Sequence, residues 1–181
     1  MRKRVLAELA NILPETQEAE SVRARSLLAK QPCWQEASSI MFFVPLPGEL
    51  DIWPLLKTAM AAGKTVALPR FDSRSGLYVP CRVADVSTDL APGRYGIHEP
   101  KLGCLEFPLN RLDFVLVPGV AFDLQGHRLG RGRGHYDQIL SAVHGTTCGV
   151  AYNEQVVGEV PVGPHDVSLN CLLTPTRWVE L

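Results

Sequence analysis

The run Gly126-His127-Arg128-Leu129-Gly130-Arg131-Gly132-Arg133-Gly134-His135-Tyr136-Asp137 has the composition of a phosphate site. Gly130, Gly132 and Gly134 let the backbone take positive φ and turn its N–H groups toward a ligand. A helix beginning at about His135 adds the positive end of its dipole. Arg128, Arg131 and Arg133 supply fixed charge, and a planar guanidinium grips phosphate oxygens in bidentate fashion. The pattern points to a small polyanion, although a solvated Arg-Gly loop or an RGG-like RNA tract has the same composition. No Gly-Lys-Ser/Thr follows, so this is not a Walker A loop, and the glycines do not fit G-x-G-x-x-G.

A triphosphate brings a divalent cation with it, and magnesium prefers hard oxygen ligands. Asp137, at the start of the helix, and Asp166, after His165, are the carboxylates available; dipole stabilisation of the first turn and a capping or turn role account for them equally well. Tyr136 brings a phenol to the phosphates or, alternatively, an aromatic ring to the core. Glu49 follows Pro45-Leu46-Pro47-Gly48, a turn that presents a carboxylate beyond a strand, where an ordinary exposed Glu is the other reading. His165 reads as structural. No Gly-x-Ser-x-Gly elbow and no cysteine with a motif-level partner is present, which excludes the common nucleophilic hydrolase layouts.

The elements around these residues alternate. Helical spacing over Arg2 to Asn11 and Glu15 to Lys30, separated by Pro14, predicts a helical hairpin at the start. Ile40 to Val44 is a buried strand, Asp51 to Ala62 a helix with Asp51 as N-cap and Gly63 as stop, and Thr65 to Leu68 the next strand. This β-α-β order implies a parallel pair with a right-handed crossover. Leu77 to Val83 is a further strand, and Ala91 to Pro108 is mostly loop. Phe114 to Val117 feeds the arginine loop, a helix runs from His135 to Val143, and strands at Thr147 to Ala151 and Cys171 to Thr174 follow. The expectation is a three-layer αβα sandwich with a largely parallel sheet, in one domain covering residues 1–181. Ligands gather beyond the carboxyl ends of such strands, so the loops carrying Glu49 and the arginines can meet at one edge.

With 181 residues and 46% apolar content, the chain can bury one sizeable core. A net charge of -1 argues against nucleic acid or membrane as partner. The five cysteines are odd in number, widely spaced and free of C-x-x-C pairs, so neither zinc nor a disulfide framework is expected. Reduced thiols, with no apolar run suited to a signal peptide or a membrane span, fit a cytoplasmic protein.

The string Pro118-Gly119, Phe122-Asp123, Gly126, Arg128-Leu129-Gly130, Gly132, Gly134 and Tyr136-Asp137 resembles the signature of the 5-formyltetrahydrofolate cyclo-ligase family, close to P-G-x-x-F-D-x-x-G-x-R-L-G-x-G-x-G-Y-Y-D. Weaker family-like features are Glu49, Gly63-Lys64 before Leu68-Pro69, Gly96-Ile97 with Glu99-Pro100, Gln155, and His165-Asp166. The chain has His135 where the family has a second tyrosine, and Gln138 where it has arginine. The resemblance implies contacts to ATP from Arg2 and from Arg128, Leu129, Gly130, Arg131, Gly132, Arg133, Gly134, His135 and Tyr136. It implies contacts to the folate from Val44, Glu49 and Arg131 through His135, with Phe42, Phe43 and Trp53 beside Val44 as candidate walls for a pterin. It ties magnesium to Asp137 and Asp166, and Tyr136 and Arg133 are its catalytic candidates. Adjacent pterin N–H and amino donors suit one carboxylate, which on this reading makes Glu49 a residue of the pterin rather than of the nucleotide.

What the resemblance implies is an ATP- and magnesium-dependent ligase that converts 5-formyltetrahydrofolate to 5,10-methenyltetrahydrofolate with release of ADP and phosphate, acting as a monomer or weak homodimer. A non-catalytic folate- or nucleotide-binding module is the alternative, and an RNA-binding protein a third class that the near-neutral charge disfavours.

Overall fold

The computed structural model describes residues 1–93, 96–132 and 134–181, so Arg133 lies outside the described residues. Helices α1 (Arg2–Leu9) and α2 (Pro14–Leu28) fall where the helical spacing placed them. Pro14 starts the second helix, at a position where the missing N–H costs nothing, rather than standing between the two. The short helix α3 (Pro32–Glu36) leads into β1 (Ser39–Met41), then α4 (Trp53–Ala61), β2 (Thr65–Asp72), β3 (Leu77–Val83), α5 (Val86–Asp89), β4 (Leu90–Pro92) and β5 (His98–Pro100). The carboxyl-terminal half holds β6 (Phe114–Val117), β7 (Ala121–Phe122), β8 (Arg128–Leu129), α6 (His135–Leu140), β9 (Thr146–Val150), β10 (Cys171–Leu173) and β11 (Trp178–Glu180).

Seven strands make one sheet in the order β11-β10-β9-β6-β1-β2-β3. The five inner strands pair in parallel, and β3 and β11 close the two edges as antiparallel hairpin partners. Alternation along each strand sends side chains to two cores. Ile40, Phe114 and Leu116 face α1 to α4, where Val5, Leu28, Trp34 and Leu56 pack. Met41, Val115, Val117 and Leu172 face Ile139 and Leu140 of α6, with Phe122 from β7 and Leu169 from the segment before β10. The second outer layer is thus one short helix and packed loops, thinner than the sandwich expected.

Element ends differ from expectation for local reasons. The strand over Ile40 to Val44 stops pairing at Met41, and Phe42 makes one more bond, its N–H to Ala67 O. Asp51 caps from one residue further out, its Oδ1 accepting from Trp53 N at 2.9 Å, with Ile52 at the N-cap position. The stretch Ala91 to Pro108 holds a small hairpin of β4 and β5.

Buried polar groups tie the loops to this frame. Asp123 is fully buried and accepts from the N–H groups of Gln125, His127 and Val160 and from His127 Nδ1, all at 2.9–3.0 Å. Burial alone raises its pKa, but those bonds outweigh it and hold the carboxyl below its usual range. Asp113 is held down in the same balance, by the Ser39 hydroxyl and the N–H groups of Ser38 and Ser39. Lys64 donates to the carbonyls of Trp34, Gln35 and Ala37 at the end of α3, so the Gly63-Lys64 pair serves the fold. No helix among the described residues is long and apolar enough to cross a membrane.

Candidate functional site

The strands β1 and β6 are adjacent and parallel, but the chain leaves β1 toward β2 on one side and later returns on the other. Such a reversal opens a crevice at the carboxyl ends of the strands. A cleft of about 590 Å³ lies there. Phe43, Val44, Leu46 and Glu49 line it from the loop after β1, and Pro118, Gly119 and the Arg128 to Asp137 segment from the loop after β6. Phe42 and Trp53 pack in the core, leaving Phe43 and Val44 as the apolar wall.

The Glu49 carboxylate is fixed by its own turn. Glu49 N–H donates to Leu46 O, and Leu46 N–H donates back to Glu49 Oε2 at 3.0 Å, with Gly48 at φ +84° between them. The other oxygen, Oε1, accepts from Arg131 Nη2 at 2.8 Å. The two loops expected to meet at one sheet edge therefore touch through an ion pair. Glu49 is the deep partner, with a side chain 11% exposed, and Arg131 is the outer one at 52%.

The arginine segment divides into roles that its composition did not separate. Arg128 belongs to β8, paired with β7 in a hairpin. Its side chain is 5% exposed; Nη2 donates to Asp137 Oδ1 at 2.9 Å, the guanidinium carbon lies 5.6 Å from the Tyr136 ring centre, and Nε has no partner among the described residues. Gly132 and Gly134 take positive φ, +97° and +66°. Gly130 does not; a side chain there would meet Arg128 Nη1 at 2.7 Å, so close approach and not backbone freedom requires a glycine. Arg2 reaches the loop from α1, its Nε donating to Gly130 O at 2.9 Å.

Tyr136, His135, Asp137 and Asp166 all line the cleft. Burial pushes the Tyr136 phenol well above its usual pKa, against the pull of Arg128, so it stays protonated and can donate a hydrogen bond. His135 meets Tyr78 edge-on at 5.1 Å and Phe71 at 6.3 Å. Asp166 accepts from Gly163 N at 2.8 Å in an exposed turn, and His165 beside it is exposed rather than structural. Asp137 Oδ2 and Asp166 Oδ1 make no hydrogen bond among the described residues. No group of three or more His, Cys, Asp or Glu side chains there forms a metal cage. Two carboxylates lining one cleft nevertheless fit magnesium, which keeps its waters and takes one or two carboxylates with substrate phosphates.

Several lining residues had no assigned role. Pro69, Tyr78, Ile97, His98 and Glu99 add a further part of the lining, carried by the β2–β3 and β4–β5 hairpins. The Gly96-Ile97 and Glu99-Pro100 pairs were the signal for some of it. Glu99 is fixed there by accepting from Phe71 N at 3.0 Å. Gln155 is buried and donates to the carbonyls of Gly119 and Val120, holding the floor of the cleft.

The model of the 5-formyltetrahydrofolate cyclo-ligase family matches residues 1–175. The 5-formyltetrahydrofolate cyclo-ligase of Escherichia coli K12 is 35% identical over 173 residues, covering 93% of this chain and 95% of that one. The mouse 5-formyltetrahydrofolate cyclo-ligase is 28% identical over 92% of this chain and 90% of its own. The solved structure of 5,10-methenyltetrahydrofolate synthetase from Aquifex aeolicus superposes with a TM-score of 0.89 at 32% identity, covering 99% of this chain and 90% of that one. A synthetase of the same kind from Mycoplasma pneumoniae shares the fold at a TM-score of 0.76 and 19% identity, over 96% of both chains. With most of the signature residues lining one crevice and the family match running over residues 1–175, the chain belongs to the 5-formyltetrahydrofolate cyclo-ligase family.

Proposed function

We propose that this protein is an ATP-dependent 5-formyltetrahydrofolate cyclo-ligase, converting 5-formyltetrahydrofolate to 5,10-methenyltetrahydrofolate. One observation carries the assignment of the cleft: a deep carboxylate suited to a pterin and a Gly-Arg loop suited to phosphates share one crevice, 2.8 Å apart at Glu49 and Arg131. The chemistry divides accordingly. ATP phosphorylates the N5-formyl oxygen with loss of ADP; N10 then attacks the formyl carbon, loses its proton, and the phosphate leaves with the oxygen. An amide-type oxygen is a poor leaving group until phosphorylated, and the transfer needs mainly positioning and neutralisation of charge.

On this reading Glu49 accepts from the pterin donors, with Val44 and Phe43 against the ring. Arg2, Arg131 and Arg133, with the backbone from Leu129 to Gly134, take the triphosphate. Arg128 acts from beneath, orienting Asp137 and Tyr136 rather than reaching a phosphate itself, a role supported by its burial and its bond to Asp137. Tyr136 donates a hydrogen bond to a phosphate or to the reacting oxygen, and His135 contacts the substrates beside it. Magnesium, held by Asp137 and Asp166 together with ATP oxygens, supplies further charge neutralisation. The same reading includes a single domain built on the one seven-stranded sheet, a monomer or weak homodimer, and a cytoplasmic setting in keeping with five unpaired cysteines.

The test is turnover, followed by methenyl product absorbance with ATP and magnesium present or withheld. Product formed only when both are present supports the ligase. Binding of folate or ATP with no product under any divalent ion overturns it in favour of a binding module.

A further inference from the structure

Both oxygens of the Glu49 carboxylate are engaged by protein donors, Oε2 by Leu46 N–H and Oε1 by Arg131 Nη2. A pterin donor pair and the Arg131 guanidinium therefore compete for Oε1. Arg131 is also one of the loop's cations, half-exposed, set between Gly130 and the positive-φ Gly132. Its neighbours are held on either side, Gly130 by Arg2 and the segment from Gly134 onward by α6, so the guanidinium can swing while the loop stays in place.

Resting on the assignment of folate and ATP to this cleft, we propose that Arg131 is a positioning residue that couples the two substrates by exchanging its guanidinium between Glu49 and the triphosphate. When ATP takes the guanidinium, Oε1 of a carboxylate only 11% exposed loses its donor, and the pterin supplies the replacement. Each substrate then removes the obstacle to the other, and by linkage the coupling is the same in both directions. Its size is the population of the ion pair. A half-exposed pair of this kind closes with an equilibrium constant of about 1 to 4, so either ligand alone binds roughly two- to fivefold more weakly than with its partner present.

The experiment is calorimetric titration of 5-formyltetrahydrofolate into wild type and Arg131→Ala, with and without magnesium and an ATP analogue bearing a non-hydrolysable imido bridge. In wild type the analogue tightens folate binding by roughly two- to fivefold. In Arg131→Ala that enhancement disappears, while folate binding without nucleotide is at least as tight as in wild type. Glu49→Gln gives the reciprocal reading: weaker pairing frees Arg131, and the analogue alone binds more tightly than to wild type. Coupling that persists unchanged in Arg131→Ala, that is absent from wild type, or that gives way to weaker folate binding in Arg131→Ala without nucleotide overturns the exchange. Thermal melts confirm that the variants are folded. Wild-type turnover in parallel separates the two levels: product without coupling sinks the exchange alone, whereas a wild type that binds neither ligand sinks both.

Discussion

Removing the Asp137 carboxylate should destabilise the whole protein and not only impair the reaction. Arg128 is buried, with a side chain 5% exposed, and its one short bond is to Asp137 at 2.9 Å. Among the described residues the contact to Pro118 O is 3.5 Å and Nε has no partner, so beyond the face of the Tyr136 ring little else compensates the charge. Deleting one partner of a buried pair costs about 3–5 kcal/mol, because the other charge is stranded. Asp137 is 20% exposed and water from the cleft can reach it, which lowers the figure to roughly 2–4 kcal/mol for Asp137→Ala. In a domain of this size each kcal/mol moves the melting temperature by about 2–4 °C. Arg128→Met leaves a carboxylate that can hydrate, so it should cost less, and Arg128→Met with Asp137→Ala should cost about 2 kcal/mol less than the sum. Urea denaturation of the four proteins measures this. A loss below about 1 kcal/mol in Asp137→Ala, or additivity within about 0.5 kcal/mol, would show that the pair does not hold the site together.

Glu49→Gln should weaken folate binding by about 10- to 150-fold, corresponding to roughly 1.5–3 kcal/mol for a hydrogen bond to a charged group; unchanged affinity in a folate titration leaves Glu49 only its bonds to Leu46 and Arg131. Asp166→Asn should raise the magnesium needed for half-maximal rate with little loss of stability, and an unaltered magnesium dependence leaves Asp166 only its turn with Gly163. Tyr136→Phe should lower the turnover rate without altering its pH profile, since the phenol stays protonated throughout the working range; a lost ionisation in that profile contradicts the donor role. For Asp113 and Asp123, whose folded pKa values are depressed, the stability contribution is present above the unfolded value of about 3.9 and is lost as pH falls through the folded one. Asp123→Asn should therefore flatten the acid limb of the stability curve, and an unchanged slope in acid melts rejects that account.

The order of major elements was legible because buried strands such as Phe114–Val117 are continuous apolar runs, and prolines and glycines such as Pro14 and Gly63 punctuate the helices. Strands of two or three residues were not, since β4, β5, β7 and β8 are too short to show a period. The edge strand β11 follows a turn and is only partly buried. At the site, glycine and arginine content announced a phosphate-type loop, but not which arginine is which. Arg128 pairs with a residue nine positions on, across a turn that no helical or strand period describes. Asp123 was read as part of a motif, whereas its work is to collect four donors from three places in the chain.

The Arg2–Gly130 bond joins residues 128 positions apart and depends on a helix whose buried anchors are Val5 and Leu9. A short helix held by two buried anchors opens more readily than the central sheet. When α1 opens, β6 and its neighbours keep their pairing while the loop loses a support, so competence to act and persistence of the fold are governed by different equilibria. On warming, activity fades before the main melting transition, and amide exchange in the loop follows that of α1 instead of that of the central strands.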